Sequence, residues 1–203
     1  MNGEVLFIAP IGPIGEGYSL SVDASLREQT RPDWRLLVVG DGPSMVCLSG
    51  PDPRIIYGTT PKRAHDFGHT PRAYGLEHFG VNSDFVVLTG ADAYYTPRFC
   101  EYMVAAFDPG TTAVYCDFVS RFGEDGLPQG HKDPRNATWD VIRSKLNRGH
   151  IDCGAVMVRS DRARAVGWTG RDYAADWTFI KALCDRFGAH TLKHLPQVLY
   201  VHN

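Results

Sequence analysis

Residues 86–97 read VVLTGADAYYTP. Val86, Val87 and Leu88 form a short apolar run of the kind that lies in a sheet covered on both faces. Thr96 and Pro97 then supply an N-cap and a first helical residue for the segment FCEYMVAAF. Between strand and helix stands one carboxylate, Asp92. A charge at the mouth of a buried strand costs free energy unless something stabilises it. An aspartate here forms a turn, caps a helix or meets a ligand. Thr96 already occupies the cap position, which weakens the cap reading for Asp92.

The same unit recurs along the chain. Strands are predicted at VLFIA (5–9), RLLVV (35–39), RIIY (54–57), TAVYC (112–116), AVMVR (155–159) and QVLYVHN (197–203). Tyr18, Val22 and Leu26 are spaced as one face of a helix, and Thr70-Pro71 opens another that Gly80 closes. Further helices are predicted from Trp139 to Leu146, from Ser160, and over 176–187, where Trp177, Ile180, Cys184 and Phe187 make one stripe. Strands alternating with helices imply an α/β fold, a Rossmann-like and mainly parallel sheet flanked by helices. Ligands of such sheets sit beyond the carboxyl ends of the strands. Asp41 follows the second strand and Asp92 the fourth, so both acids face one edge.

The chain has 203 residues, 43% hydrophobic and 22% charged, with a formal charge of −2. That length suits one domain, 1–203, and that charge excludes a general nucleic-acid binder. Five cysteines without a CxxC pair suit reduced thiols and a cytoplasmic protein, and argue against structural zinc. No run approaches the roughly 20 apolar residues that cross a bilayer. MNGEVLFIAP reads as a first strand and not as a signal peptide. The polar stretch from Phe122 to Ala137 is a candidate loop that orders on ligand binding. Gly12, Gly15 and Gly17 follow the first strand, but their G-x-x-G-x-G spacing reverses the dinucleotide fingerprint.

Six segments, taken in order, resemble the inverting family 2 glycosyltransferases. SLREQTRPDWRLLVVGDGPS resembles their opening helix and the strand that delivers Asp-Gly to a nucleotide base. PRAYGL resembles the Arg-Asn-x-Gly helix start, and VVLTGADAYYTP the strand bearing Asp-x-Asp. CGAVMVRSDRARAVGW resembles the acceptor-side strand, AADWTFIKAL the helix start with the catalytic base, and VLYVHN a closing strand whose histidine completes a metal site. Three positions depart from the pattern: Gly40, Ala73 and Gly90 stand where relatives carry Asp, Asn and the first Asp of Asp-x-Asp.

The resemblance implies a single-domain A-type glycosyltransferase fold, with residues 1–95 as the nucleotide-sugar half and 96–203 as the acceptor and catalytic half. It implies a hexosyl- or deoxyhexosyltransferase using a nucleotide-diphosphate sugar, with UDP the commonest nucleotide. The acceptor would be a glycan, a lipid-linked saccharide or a protein, met in the cytoplasm or at a membrane surface. Pro10, Ile11, Asp41, Arg72, Gly90, Ala91 and Asp92 would line the donor site. Asp92 and His202 would hold Mn2+, or Mg2+, since a mixed oxygen and nitrogen donor set suits manganese better. A non-catalytic nucleotide- or glycan-binding domain descended from a transferase is the alternative.

Several of these residues carry a second reading. Asp176 stands at a helix start, where partial positive charge favours the ionised base, yet an aspartate there also simply caps. Arg72 lies in a first turn where the helix dipole disfavours a cation, which hints at an anionic partner or a surface salt bridge. Asp152 meets a sugar or caps a turn, Trp177 packs in the core or beside a sugar, and His202 is a ligand or a solvated end. The remaining histidines show no metal-ligand spacing and read mostly as surface or loop residues.

Overall fold

The computed structural model describes residues 3–12, 21–43, 52–120 and 139–202. Its centre is one sheet of nine strands: β1 Val5–Ile11, β2 Trp34–Gly40, β3 Ile55–Thr59, β4 Phe85–Leu88, β5 Tyr94–Tyr95, β6 Ala113–Ser120, β7 Asp140–Ile142, β8 Val156–Arg159 and β9 Leu192–His202. The spatial order is β3-β2-β1-β4-β8-β6-β9-β5, with β7 beside β6. β3, β2, β1 and β4 are parallel neighbours, as are β6 and β9. β8 runs antiparallel between β4 and β6, and β5 runs antiparallel to β9. The predicted mainly parallel α/β sheet is therefore present.

The continuous apolar runs follow from coverage on both faces. Phe7, Leu36, Val38 and Val87 point to one side, under Val22 and Leu26 of α1 (Ser21–Arg27) and Phe99 and Met103 of α3 (Phe99–Ala105). Leu6, Ile8, Leu37 and Val39 point to the other. There they meet Leu76 of α2 (His69–Phe79), Ala163 of α4 (Ser160–Val166), and Ile180 and Leu183 of α5 (Ala175–Phe187). Side chains alternate across a strand, so each strand feeds both layers. Gln29, at the exit of α1, ties α1 to α3 within the first layer: its amide donates to the Thr96 carbonyl at 2.7 Å and accepts from Cys100 N–H at 3.0 Å.

Three local expectations change. The predicted helix over Trp139–Leu146 is β7 instead. β8 pairs β6 only at Ala113–Tyr115, leaving the far edge of β6 open, and the β-branched pair Val141–Ile142 closes it opposite Phe118 and Val119. Thr70 does not cap α2; its N–H and hydroxyl both donate to the Asp66 carboxylate, and the helix begins one residue earlier at His69. α3 starts at Phe99, two residues beyond Pro97, after a turn closed by Phe99 N–H on the Thr96 carbonyl. His69 is buried against Trp168 and His194 bonds Asp117, so the histidines are not uniformly superficial. The loop expected at 122–137, and with it Gly15, Gly17 and Cys47, lies outside the described residues. No described helix is long and apolar enough to cross a membrane.

Candidate active site

Every residue proposed for the site belongs to one edge of the sheet. β1, β2, β4 and β9 end there, and antiparallel β8 begins there. Tyr95 ties this edge together: its buried hydroxyl lies 2.7 Å from Thr89 Oγ1 and 3.1 Å from the Gly154 carbonyl, joining the end of β4 to the turn before β8. Burial raises the Tyr95 phenol well above its ordinary range, so it stays a neutral bridge.

Ile11 is buried, and its carbonyl accepts from Asp41 N–H at 3.0 Å, so β1 and β2 reach the edge in register beside partly exposed Pro10. The Asp41 carboxylate accepts the N–H groups of Ala64 and His65 at 2.8 and 2.9 Å. It shapes the loop between β3 and α2, while each oxygen keeps a further acceptor direction for a base N–H.

Arg72 crosses from the first turn of α2 toward the end of β4. Nη2 donates to the Thr89 carbonyl at 3.1 Å and Nη1 to the Phe67 carbonyl at 3.3 Å, with the guanidinium 5.7 Å from the Trp168 ring centroid. Its Nε is buried without a partner. Among the described residues it forms no ion pair within 4.0 Å, which removes the surface salt-bridge reading. Two main-chain carbonyls thus hold this cation in a first turn whose dipole disfavours it.

The acids gather opposite. Asp152 caps the short 3-10 turn Cys153–Ala155, accepting Gly154 N–H at 2.7 Å, and its other oxygen lies 3.4 Å from His202 Nδ1. It therefore does both things: it caps a turn and it faces the site. Asp176, in the first turn of α5, accepts Cys153 N–H at 3.5 Å. One ligand-capable atom from each of Asp152, Cys153 and Asp176 lies within 4.8 Å of the others. Burial first and the Asp152 charge second push Asp176 up to about 6, against the opposing pull of Arg72, the Cys153 hydrogen bond and His202. The helix start was expected to keep this acid ionised. A rise of that size is worth roughly 3 kcal/mol, more than the ~1 kcal/mol a helix end supplies. Burial wins. Burial and the same two acids hold the Cys153 thiol far above its usual range, so it is neutral.

Asp92 sits on the exposed turn after β4, and Ala91 N-terminal to it is buried, its carbonyl accepting Val22 N–H at 3.3 Å. Gly90 explains the missing first acid in part: a Cβ there would lie 2.7 Å from Asp92 Oδ1, so the Asp92 carboxylate folds back over the space a side chain would fill. β5 pairs Tyr94 with Val201 and Tyr95 with Tyr200. Continued one step, that antiparallel register sets His202 across from Ala93, the neighbour of Asp92. Asp152 Oδ2 lies 3.4 Å from Nδ1 of His202, so the carboxylate holds the imidazole at the end of β9. Among the described residues, the three metal-capable side chains brought within reach of one another are Asp152, Cys153 and Asp176, and neither Asp92 nor His202 belongs to that group. Trp177 is half-buried against the second core layer, as the core reading has it.

Sequence reasoning missed Thr89, Tyr95, Cys153 and Trp168. All four lie inside the segments 86–97 and 153–168, but no spacing singles them out; each matters through a contact made only on folding. Two cavities lie elsewhere, at the opposite strand ends: about 410 Å³ between Asp84 and Arg159, and about 390 Å³ between Asp108 and Lys193. Neither contains any residue of this site.

No protein-family model matches the chain. No curated protein matches it either. Solved structures do. Staphylococcus aureus TarS, residues 1–349, superposes with a TM-score of 0.68 at 16% identity, over 98% of this chain and 60% of that one. The same TarS fragment in complex with UDP-GlcNAc gives 0.67 at 13% identity, over 98% and 58%. Mycobacterium tuberculosis glucosyl-3-phosphoglycerate synthase gives 0.61 at 13% identity, over 99% and 73%. The chain thus spans about 60% of the TarS fragments it resembles. It has the A-type glycosyltransferase fold of these structures.

Proposed function

We propose that the chain is an inverting glycosyltransferase that moves a hexosyl or deoxyhexosyl group from a UDP-linked donor to a hydroxyl acceptor. One observation carries this reading: an arginine without a carboxylate partner faces a buried acid tuned to about 6, at the sheet edge where α/β folds bind nucleotides. Structures of TarS with UDP and with UDP-GlcNAc support the choice of nucleotide. Asp176 takes the proton of the acceptor hydroxyl while that oxygen forms a bond to the anomeric carbon. The bond from that carbon to the diphosphate breaks on the opposite face, and its electron pair leaves with UDP. Inversion follows from this single displacement. A base near 6 is deprotonated at neutral pH yet basic enough to accept.

Arg72 meets the charge that grows on the leaving diphosphate. Asp92 and His202 would hold a divalent cation, manganese in preference to magnesium, which when bound neutralises that same charge. Asp152 keeps His202 oriented. Asp41, with Pro10 and the backbone of Ile11, receives the base, and Gly90 and Ala91 let the donor approach the end of β4. The chain would work as one unit whose donor half, 1–95, meets its acceptor half, 96–203, at this edge, in the cytoplasm or on a membrane surface.

Thermal unfolding with UDP, with and without manganese, tests the reading. UDP at 100 times its dissociation constant should add about 2.7 kcal/mol, and manganese should increase the effect. Asp176→Asn should keep this stabilisation and lose transfer by about 100-fold or more. Full UDP stabilisation without turnover of any UDP-sugar, even to hydrolysis, would instead identify a binding domain. Unchanged turnover in Asp176→Asn would remove the residue from its role.

A further inference from the structure

Two large apolar side chains stand apart by exposure among the described residues, Phe67 at 92% and Tyr173 at 83%. Burial rewards neither. Phe67 is also held at φ 57, a left-handed conformation unfavourable for a bulky residue. Its loop is not slack. Asp41 grips the N–H groups of Ala64 and His65, and Gly68 sits so close to β1 that a Cβ would lie 2.6 Å from Pro10. Strain that the surroundings maintain around an exposed ring points to a use outside the fold.

Tyr173 precedes α5 on a loop fixed in the same way. The Asp172 carboxylate accepts Ala174 N–H at 3.1 Å, and a Cβ on Gly170 would lie 2.5 Å from Ala175. The two loops meet: Arg171 Nε lies 4.0 Å from Asp66 Oδ2, and the Phe67 carbonyl receives Arg72. Tyr173 stands three residues before Asp176, at the entry to α5; partial desolvation, then the charges of Asp176 and Asp152, raise its phenol.

We infer that Phe67 and Tyr173 form a platform for the acceptor, and that the acceptor is a neutral saccharide whose pyranose ring lies against one or both aromatic faces. A sugar ring offers an apolar C–H face and a rim of hydroxyls. Rigid aromatic rings match the first at little entropic cost. Asp152 and Asp176 match the second as hydrogen-bond acceptors. Asp66 and Asp172 flank the two rings in sequence, with Arg171 paired to Asp66, so the rim is polar and of mixed sign and suits a neutral ligand. The polar neighbours Asp66, Arg171 and Asp172 leave no continuous apolar groove for a lipid chain. The aromatic contact to sugar therefore falls to Tyr173 and not to half-buried Trp177. The word acceptor rests on the proposed function; the saccharide site does not.

Saturation-transfer NMR on the full chain tests this with methyl β-glucopyranoside, methyl N-acetyl-β-glucosaminide and cellobiose as probes. Wild type should saturate ring C–H protons of at least one probe. Phe67→Ala with Tyr173→Ala should weaken that signal at least about fivefold, while Tyr173→Phe retains it. UDP stabilisation measured on the same variants reads the donor site separately, and should be unchanged. If Phe67→Ala fails to fold, Tyr173→Ala alone serves. Equal signals in wild type and variants, no signal from any probe, or loss of UDP stabilisation with the rings each overturns the inference. Ring-dependent saccharide binding without any UDP effect would uphold it and refute the transferase reading.

Discussion

Asp152 and Asp176 share one small volume, and burial first, with their repulsion second, sets how Asp176 responds to pH. Because Asp176 is raised to about 6, the fraction of ionised base grows as pH climbs through that value. kcat/KM should therefore rise from pH 5 to 7 with a midpoint at about 6. Asp152→Asn removes a negative neighbour, so the midpoint should move to lower pH; a pH profile of both proteins measures it, and an unmoved midpoint would exclude the coupling. The linkage runs the other way for stability. Folded Asp176 holds its proton to higher pH than the unfolded chain does, so folding weakens between the unfolded value near 4 and about 6. At this scale the sequence displayed Asp41, Arg72, Asp92, Asp152, Asp176 and His202, because each stands at the end of an element. It did not display Asp66 as the carboxylate that takes Thr70, nor Cys153 as a donor to Asp176. Those roles exist only where separate loops approach.

β9 reaches the site because one glycine lets it. A Cβ on Gly154 would lie 2.5 Å from the ring of Tyr200, which is only 2% exposed and cannot swing aside. Gly154→Ala should cost about 1–3 kcal/mol as that ring is displaced, read as a lower midpoint in thermal or urea unfolding. His202 lies two residues beyond Tyr200, so metal-dependent UDP stabilisation should fall with it, whereas wild-type stability in the variant would show that the ring yields freely. Strands buried on both faces were legible in the short continuous apolar runs 5–9 of β1 and 36–39 of β2, each too short for a buried helix. β7 was not legible. Trp139, Val141 and Ile142 have no strong periodic signature, and what makes them a strand is the edge of β6 that β8 leaves uncovered.

β4 belongs to both parts of the molecule. It pairs β1 on one side and β8 on the other, and the core layer around Phe7, Tyr95 and Phe99 draws from residues before and after 95. Residues 1–95 and 96–203 thus share one sheet and one core. Calorimetry should show one unfolding transition with matching calorimetric and van't Hoff enthalpies; two transitions would mean that the halves melt separately. The order of the sheet also has a consequence in time. β5 pairs only with β9 among the described strands, and β9 lies between β6 and β5. During synthesis on the ribosome, strands one to four can pair with one another as they emerge, but the fifth must wait for the roughly one hundred residues that separate it from β9. His202 arrives with β9, so a nascent polypeptide cannot finish this edge of the sheet until that strand has left the ribosome.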